Sequence, residues 1–364
     1  MNRELDMTTT TMTTHERFER MYAHREADRV PWKESIWDST IRRWHREGLP
    51  EHTSVIEHFD LDLVAGIGPD TSPRFETRTL DENDEYRTVT TAWGATMRQF
   101  KFENTTPEYL DFQVKTPDDW RAAKARMTPS RDRINWKHLE ANYGAWRKSG
   151  AWISASGWFC FDIPHSHFIG TERLLMALVT DPEWVVDMWN HELTLNIALL
   201  DMIWDAGYRF DEFTWPDDMG YKHHQFFSLD MYRELLKPVH KRAIDWAHAK
   251  GVKTRLHSCG DIRPFIPELT GMGLDALNPI EVKAGMDPFE IKRTAGDALV
   301  LHGGINAEVW HETATVEKLI RERVPALMKN GGYIFASDHS VPSAVSFNDF
   351  THIVSVFKEV GTYR

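Results

Sequence analysis

An eight-stranded α/β barrel is the fold this sequence predicts, and three observations predict it. From Trp152 onward, short apolar runs alternate with amphipathic helical stretches, the rhythm of βα units around a parallel sheet. Candidate strands fall near residues 32–37, 61–66, 152–157, 211–215, 254–258, 275–278, 298–302 and 332–336, and eight such units close a (β/α)8 TIM barrel. The runner-up, an open doubly wound sheet, finds no GxGxxG or P-loop in the chain to support it.

Taken in order, residues 1–14 are polar and Thr-rich and read as a disordered tail. Residues 15–364 read as one barrel domain. His15–Arg29 predicts an N-terminal helical arm with Phe18, Met21 and Tyr22 on one face, ended by Pro31. VPWKESIW then gives the first strand. Residues 73–103 alternate polar with apolar or β-branched residues around the acidic turn DENDE, which predicts a β-hairpin insertion. Residues 104–150 read as charged and helical, with starts at Thr116-Pro117-Asp118 and Thr128-Pro129. Asp181 and Pro182 open a long helix with Val185, Met188, Trp189, Ile197, Leu200 and Trp204 as its buried stripe, stopped by Gly207. Ser228 caps a helical stretch that Pro238 kinks. Later helices are expected over 264–272, 287–295, 315–330 and 346–360.

Composition narrows the function. Asp and Glu number 55 against 43 Lys and Arg, a net charge of −12 that repels phosphate backbones and anionic membrane surfaces. Nucleic acid and membrane partners are therefore not expected. No apolar run approaches the length of a transmembrane helix, and the first residues lack an apolar signal region. Two cysteines, Cys160 and Cys259, make no disulfide framework, which points to the cytoplasm.

In a barrel of this kind the active site lies at the C-terminal strand ends. Those ends carry His257 and Cys259, Asn278 and Glu281, His302, Asp338 and His339, with Asp217 and Asp218 just past Trp215. Residues i and i+2 of an extended segment point to the same side, so His257 and Cys259 can converge on one ion. A single usable Cys argues for a catalytic metal with an open position rather than a closed structural site. Asp217 and Asp218 serve as a ligand with its supporting partner, or as a helix cap. His302 precedes Gly303-Gly304, which either leaves room for a ligand or makes a turn. His165 and His167 read as structural. Of the 15 Trp, several stand at strand ends, and Trp37, Trp158 and Trp215 are candidate walls for a flat apolar substrate.

Three segments, ERFERMYAHREADRVPW, HAKGVKTRLHSCGDI and GGYIFASDHSVP, resemble the uroporphyrinogen decarboxylase superfamily, and within it the corrinoid-linked methyltransferase branch. The resemblance spans roughly residues 15–364. It implies that His257 and Cys259 bind Zn2+, and that the enzyme moves a methyl group to or from cobalamin carried by a separate corrinoid protein. In the coenzyme M enzymes of that branch another Cys follows in the last strand loop. Here that position reads His339 or, one place earlier, Asp338. A zinc with fewer thiolates is a stronger Lewis acid, which favours an oxygen over a thiol. The RQAGRY-type run of the decarboxylase is replaced by KESIWDST, and Glu34, Asp38, Asp217, Asp218, Glu281 and Asp338 give an acidic mouth unsuited to a polyanion.

The expected metal ligands are thus His257, Cys259 and His339, with Asp217 or Asp218 as the fourth. Asp338 or Glu281 is the expected acid for the leaving oxygen, and Trp37, Trp158, Trp215, His302 and Asn278 the expected substrate contacts. The expected donor is a small aromatic methyl ether. A metal-free decarboxylase and a non-catalytic binding barrel are the alternatives, and assembly as a homodimer is left open.

Overall fold

The computed structural model describes residues 11–363. The first ten residues of the expected tail lie outside the described residues. Residues 12–14 belong to the fold instead of the tail. The Met12 N–H donates to Asp28, Thr13 and Glu16 form a reciprocal capping box, and the Thr14 hydroxyl donates to Asp62. The arm helix Thr14–Tyr22 is shorter than its sequence pattern suggests. It ends where His24 takes a left-handed backbone conformation, well before Pro31.

Seven parallel strands run in the order β1 (Val64–Ile67), β6 (Trp152–Ser156), β7 (Glu212–Pro216), β8 (Lys253–His257), β9 (Ala276–Asn278), β10 (Val300–His302) and β11 (Tyr333–Ile334). The eighth stave, residues 31–37, makes bridges rather than a ladder. Trp32 pairs with Phe335 and Ile36 with Val341, while the Trp32 carbonyl accepts from the Asp62 N–H at 3.3 Å. Those contacts join the two edges of the sheet and close the TIM barrel. The ladder breaks because residues 336–340 leave the strand direction, with the Asp338 N–H bonding to Ile305 instead of to the first stave.

The hairpin region is larger than expected. It forms a four-stranded antiparallel sheet, β2 (Thr79–Glu82), β3 (Tyr86–Thr90), β4 (Ala95–Phe100) and β5 (Glu108–Phe112). The last of these lies in a stretch read as helical; its five residues are too few and too exposed to show a clear period. Thr128-Pro129 opens no helix. The chain makes a short 3-10 turn at Arg131–Arg133, and Asn135 caps the helix Trp136–Ser149.

Asp181 and Pro182 do open the long helix Pro182–Asp205, directly behind a separate helix Thr171–Thr180. The stretch capped by Ser228 is split. A widened π turn at Tyr232–Leu236 precedes the helix Lys237–Ala249 and absorbs the N–H that Pro238 lacks.

The main core runs from Val30 to Phe357 between the strands and the outer helices. A smaller cluster closes the N-terminal end of the barrel, where Phe18 and Tyr22 of the arm helix stack on Trp152 at 5.4 and 5.5 Å. No helix among the described residues is long and apolar enough to cross a membrane.

Candidate metal centre

Two loops build the centre, one after β7 and one after β8. They pack backbone on backbone: Gly260 has φ +81°, and a Cβ there would stand 2.1 Å from the Gly220 carbonyl carbon. This approach brings Asp218 against Cys259, whose N–H donates to Asp218 Oδ1 at 2.8 Å. His257 Nε2 lies 3.4 Å from Cys259 Sγ and 3.8 Å from Asp218 Oδ1. One donor atom from each of Asp218, His257 and Cys259 falls within 4.8 Å of the others.

The imidazole is held in one tautomer. Asn278 Nδ2 donates to the His302 carbonyl at 3.2 Å, so Asn278 Oδ1 is the atom facing His257 Nδ1 at 2.6 Å. An amide oxygen only accepts, so Nδ1 carries the proton and Nε2 turns its lone pair toward Cys259 and Asp218. A ring nitrogen fixed this way is the usual support of a metal-ligating His. Nitrogen, sulfur and carboxylate oxygen are together a zinc-type donor set, and all three side chains remain partly exposed, as an open site requires. Burial, then the charges of Asp218, Glu281 and Asp162, push the Cys259 thiol up. A divalent cation among those carboxylates reverses that push and favours the thiolate.

The other expected ligands go elsewhere. His339 stands edge-on to Trp37, with ring centroids 5.8 Å apart, and lines the neighbouring cavity without joining the donor group. Asp217 is fully buried and faces away. Its Oδ2 bonds His240 Nε2 at 2.7 Å and its Oδ1 accepts from the Asp162 N–H at 2.8 Å. With Cys160 it forms a second, closed cluster, Cys160–Asp217–His240.

Of the two expected acids, Asp338 is committed to shape. Its carboxylate accepts from the Val282 and Ala307 amides at 2.9 and 2.7 Å and so ties two loops together. Glu281 accepts from the Gly260 N–H at 2.6 Å through Oε2, while Oε1 lies 3.6 Å from Lys283. Asp162, which the sequence pattern did not mark, sits beside both Asp217 and Asp218, and burial plus those charges raise its pKa.

Two cavities take up the expected substrate residues, and the first adjoins the centre through His257. One of about 230 Å3 is lined by Lys33, Arg255, His257, Asn278, His302 and His339 among others. Its cations offset the acidic mouth expected from sequence, and Glu34 there is already taken up by hydrogen bonds. The other, about 390 Å3, lies under the antiparallel sheet and is walled by Trp93, Met97, Tyr109, Trp158 and His167. Trp158 stacks on Trp93 at 6.2 Å. Trp215, in contrast, is completely buried between Phe159, Phe213 and His240 and lines neither cavity.

This architecture has a known counterpart. A methyltransferase from Methanosarcina mazei superposes with a TM-score of 0.66 at 14% identity, covering 96% of this chain and 99% of that one. A 3-keto-D-glucoside 4-epimerase from E. coli is more distant, with a TM-score of 0.35 at 9% identity over 62% of this chain and 84% of that one. No curated protein sequence matches the chain. Residues 165–360, more than half of the sequence and including the whole His257–Cys259 loop and the last strand, match the uroporphyrinogen decarboxylase (URO-D) family model. The chain belongs to the uroporphyrinogen decarboxylase family.

Proposed function

We propose that this protein is a zinc-dependent methyltransferase that works with a separate corrinoid protein and demethylates a small aromatic methyl ether. One observation carries the reading: Asp218, His257 and Cys259 converge at an open strand end, with the His257 tautomer fixed by Asn278. The name of the Methanosarcina mazei protein, a methyltransferase, supports the same class of reaction. In this reading the cobalamin is carried by the partner protein.

Zinc, when bound, supplies Lewis acidity that makes an ether oxygen a better leaving group. The rest of the work falls to the chain. Asp218, His257 and Cys259 hold the metal, and His339 and Asp217 are not needed for it. Asn278 orients the ring of His257. Glu281 is the carboxylate with an oxygen left to hold a proton near the centre, whereas Asp338 positions the loops that carry Glu281 and Ala307. Trp158, beside Trp93 and Tyr109, supplies flat apolar walls for an aromatic ring. Trp37 backs His339 at the rim. In this reading the barrel works as one domain, in the cytoplasm.

The test mixes the purified enzyme with a reduced corrinoid protein from the same source and a panel of methoxyarenes, methylamines and methylthiols. Methyl-cobalt formation with the ethers alone, and only in the presence of zinc, is the expected result. Turnover with methylthiols alone would overturn the ether reading. Decarboxylation of a small acid by metal-free enzyme would overturn the methyltransferase reading altogether.

A further inference from the structure

Two residues lining the cavity beside His257 carry a polar group that no described residue answers. Lys33 lines it from the first stave, and among the described residues its ammonium has neither a carboxylate within ion-pair distance nor a hydrogen-bond acceptor. The two nearby carboxylates are already engaged. Glu34 accepts from the Trp32 indole, the Ser35 amide, and both the amide and hydroxyl of Ser337. Glu212 accepts from Tyr22, Ser154 and two nitrogens of Arg255.

The second group is His302, 2% exposed, whose Nε2 stands 2.9 Å from the Lys33 carbonyl oxygen. A carbonyl only accepts, so Nε2 carries the proton, and Nδ1 of the neutral ring is an acceptor. That Nδ1 is buried and has no partner among the described residues. Burial and the adjacent Arg255 and Lys33 cations hold the ring neutral, so Nδ1 keeps its lone pair. A buried acceptor without a donor is rare in a native interior and marks a place where a partner from outside is expected. The cavity is thus lined by an unpaired cation and by a neutral ring whose buried acceptor lacks a donor, beside His257.

We propose that the cavity binds the head of a hydroxycarboxylate. Lys33 donates to the carboxylate, and His302 Nδ1 accepts the proton of the hydroxyl. The volume of about 230 Å3 accommodates a single ring or a short chain and no larger polyanion. This assignment rests on the methyltransferase reading for its link to a methyl donor, the hydroxycarboxylate being the part of that donor remote from the ether. The binding itself does not depend on that reading.

Calorimetric titration of the zinc-loaded full chain tests it, with 3-hydroxybenzoate, benzoate and phenol as probes. The hydroxybenzoate is expected to bind tightest, with benzoate and phenol each weaker by about tenfold or more, the range for losing one charge-assisted or buried hydrogen bond. Lys33→Met should weaken both anions by at least about tenfold and leave phenol unchanged, and Lys33→Arg should retain most of the anion affinity. His302→Phe should erase the preference of 3-hydroxybenzoate over benzoate. The proposal is overturned if Lys33→Met, with an unchanged thermal melt, binds 3-hydroxybenzoate like the wild type, or if phenol binds as tightly as the anions. Anion binding as described without any methyl transfer would sustain this site and sink the methyltransferase reading. Methyl transfer from neutral ethers without anion binding would do the reverse.

Discussion

The two ends of the barrel are built on opposite principles. Toward the N-terminal end the buried carboxylates Glu212 and Asp62 are both paired. Tyr22 and Arg255 meet on the Glu212 carboxylate, and Arg17 and Arg29 both reach Asp62, with Asp28 completing the group. Phe18 and Tyr22 seal that end against Trp152. Toward the C-terminal end, where Arg255 itself reaches the cavity, Lys33 and His302 Nδ1 lack partners among the described residues, and Asp218, His257 and Cys259 face one another with no proton donor shared among all three. A saturated polar network rigidifies a fold, while unsaturated groups held by rigid strands are where ligands bind. The comparison separates residues that hold the barrel from residues that use it.

The sharpest way to break the comparison is at Glu212. Glu212→Ala leaves Arg255 buried with no carboxylate and is expected to cost about 3–5 kcal/mol of stability, read by urea denaturation. Lys33→Met, at the other end, should cost under about 1 kcal/mol, because no native contact is lost. Equal losses would remove the distinction between the two ends.

The pH dependence sharpens the same point. Glu212 is held down to about 2 from its ordinary 4.5: burial raises it, but the Arg255 charge and hydrogen bonds outweigh burial. A depressed carboxylate contributes stability that is fully present above its unfolded pKa. That share should fade as pH falls from about 4.5 toward 2. Glu212→Gln should flatten this part of the acid-unfolding curve. An unchanged acid limb would contradict the assignment.

Smaller effects follow. Tyr22→Phe removes one donor from Glu212 and should cost about 1–2 kcal/mol, measured by thermal melting. Asn278→Ala frees the His257 ring and should weaken zinc by about 10–100-fold with little change in the melt. Thr13→Ala removes the cap of the arm helix and should cost about 1 kcal/mol, which calorimetry can resolve. A single cooperative transition in that calorimetry is also what one barrel domain predicts.

Much of this was legible in the residues, for reasons that differ by element. Strand ends and helix caps are local, so β6 to β10 and the caps at Thr116, Asp181, Ser228 and Ser346 appear where propensity and turn chemistry place them. His257 and Cys259 share a side because alternate residues of extended chain do so. The choice between Asp217 and Asp218 was not local. Adjacent residues after a strand face opposite ways, and only the packing of Gly220 against Gly260 selects Asp218. His339 and Trp215 were expected at the site from position alone. His339 turns toward Trp37, and Trp215 points into the core, which sequence spacing does not specify. Lys33 and Asp162 carry no motif, because what distinguishes them is the partners that surround or fail to surround them.

The most direct test of the account is the metal content and ligation of the purified chain. About one zinc per chain is expected, with one sulfur scatterer at about 2.3 Å in X-ray absorption. Because the chain has two cysteines, Cys259→Ser separates the open cluster from the buried Cys160–Asp217–His240 cluster. The account predicts that zinc and its sulfur are lost together in Cys259→Ser. Zinc that stays bound in that variant with its sulfur at the same distance would place the metal at Cys160 and contradict the central claim.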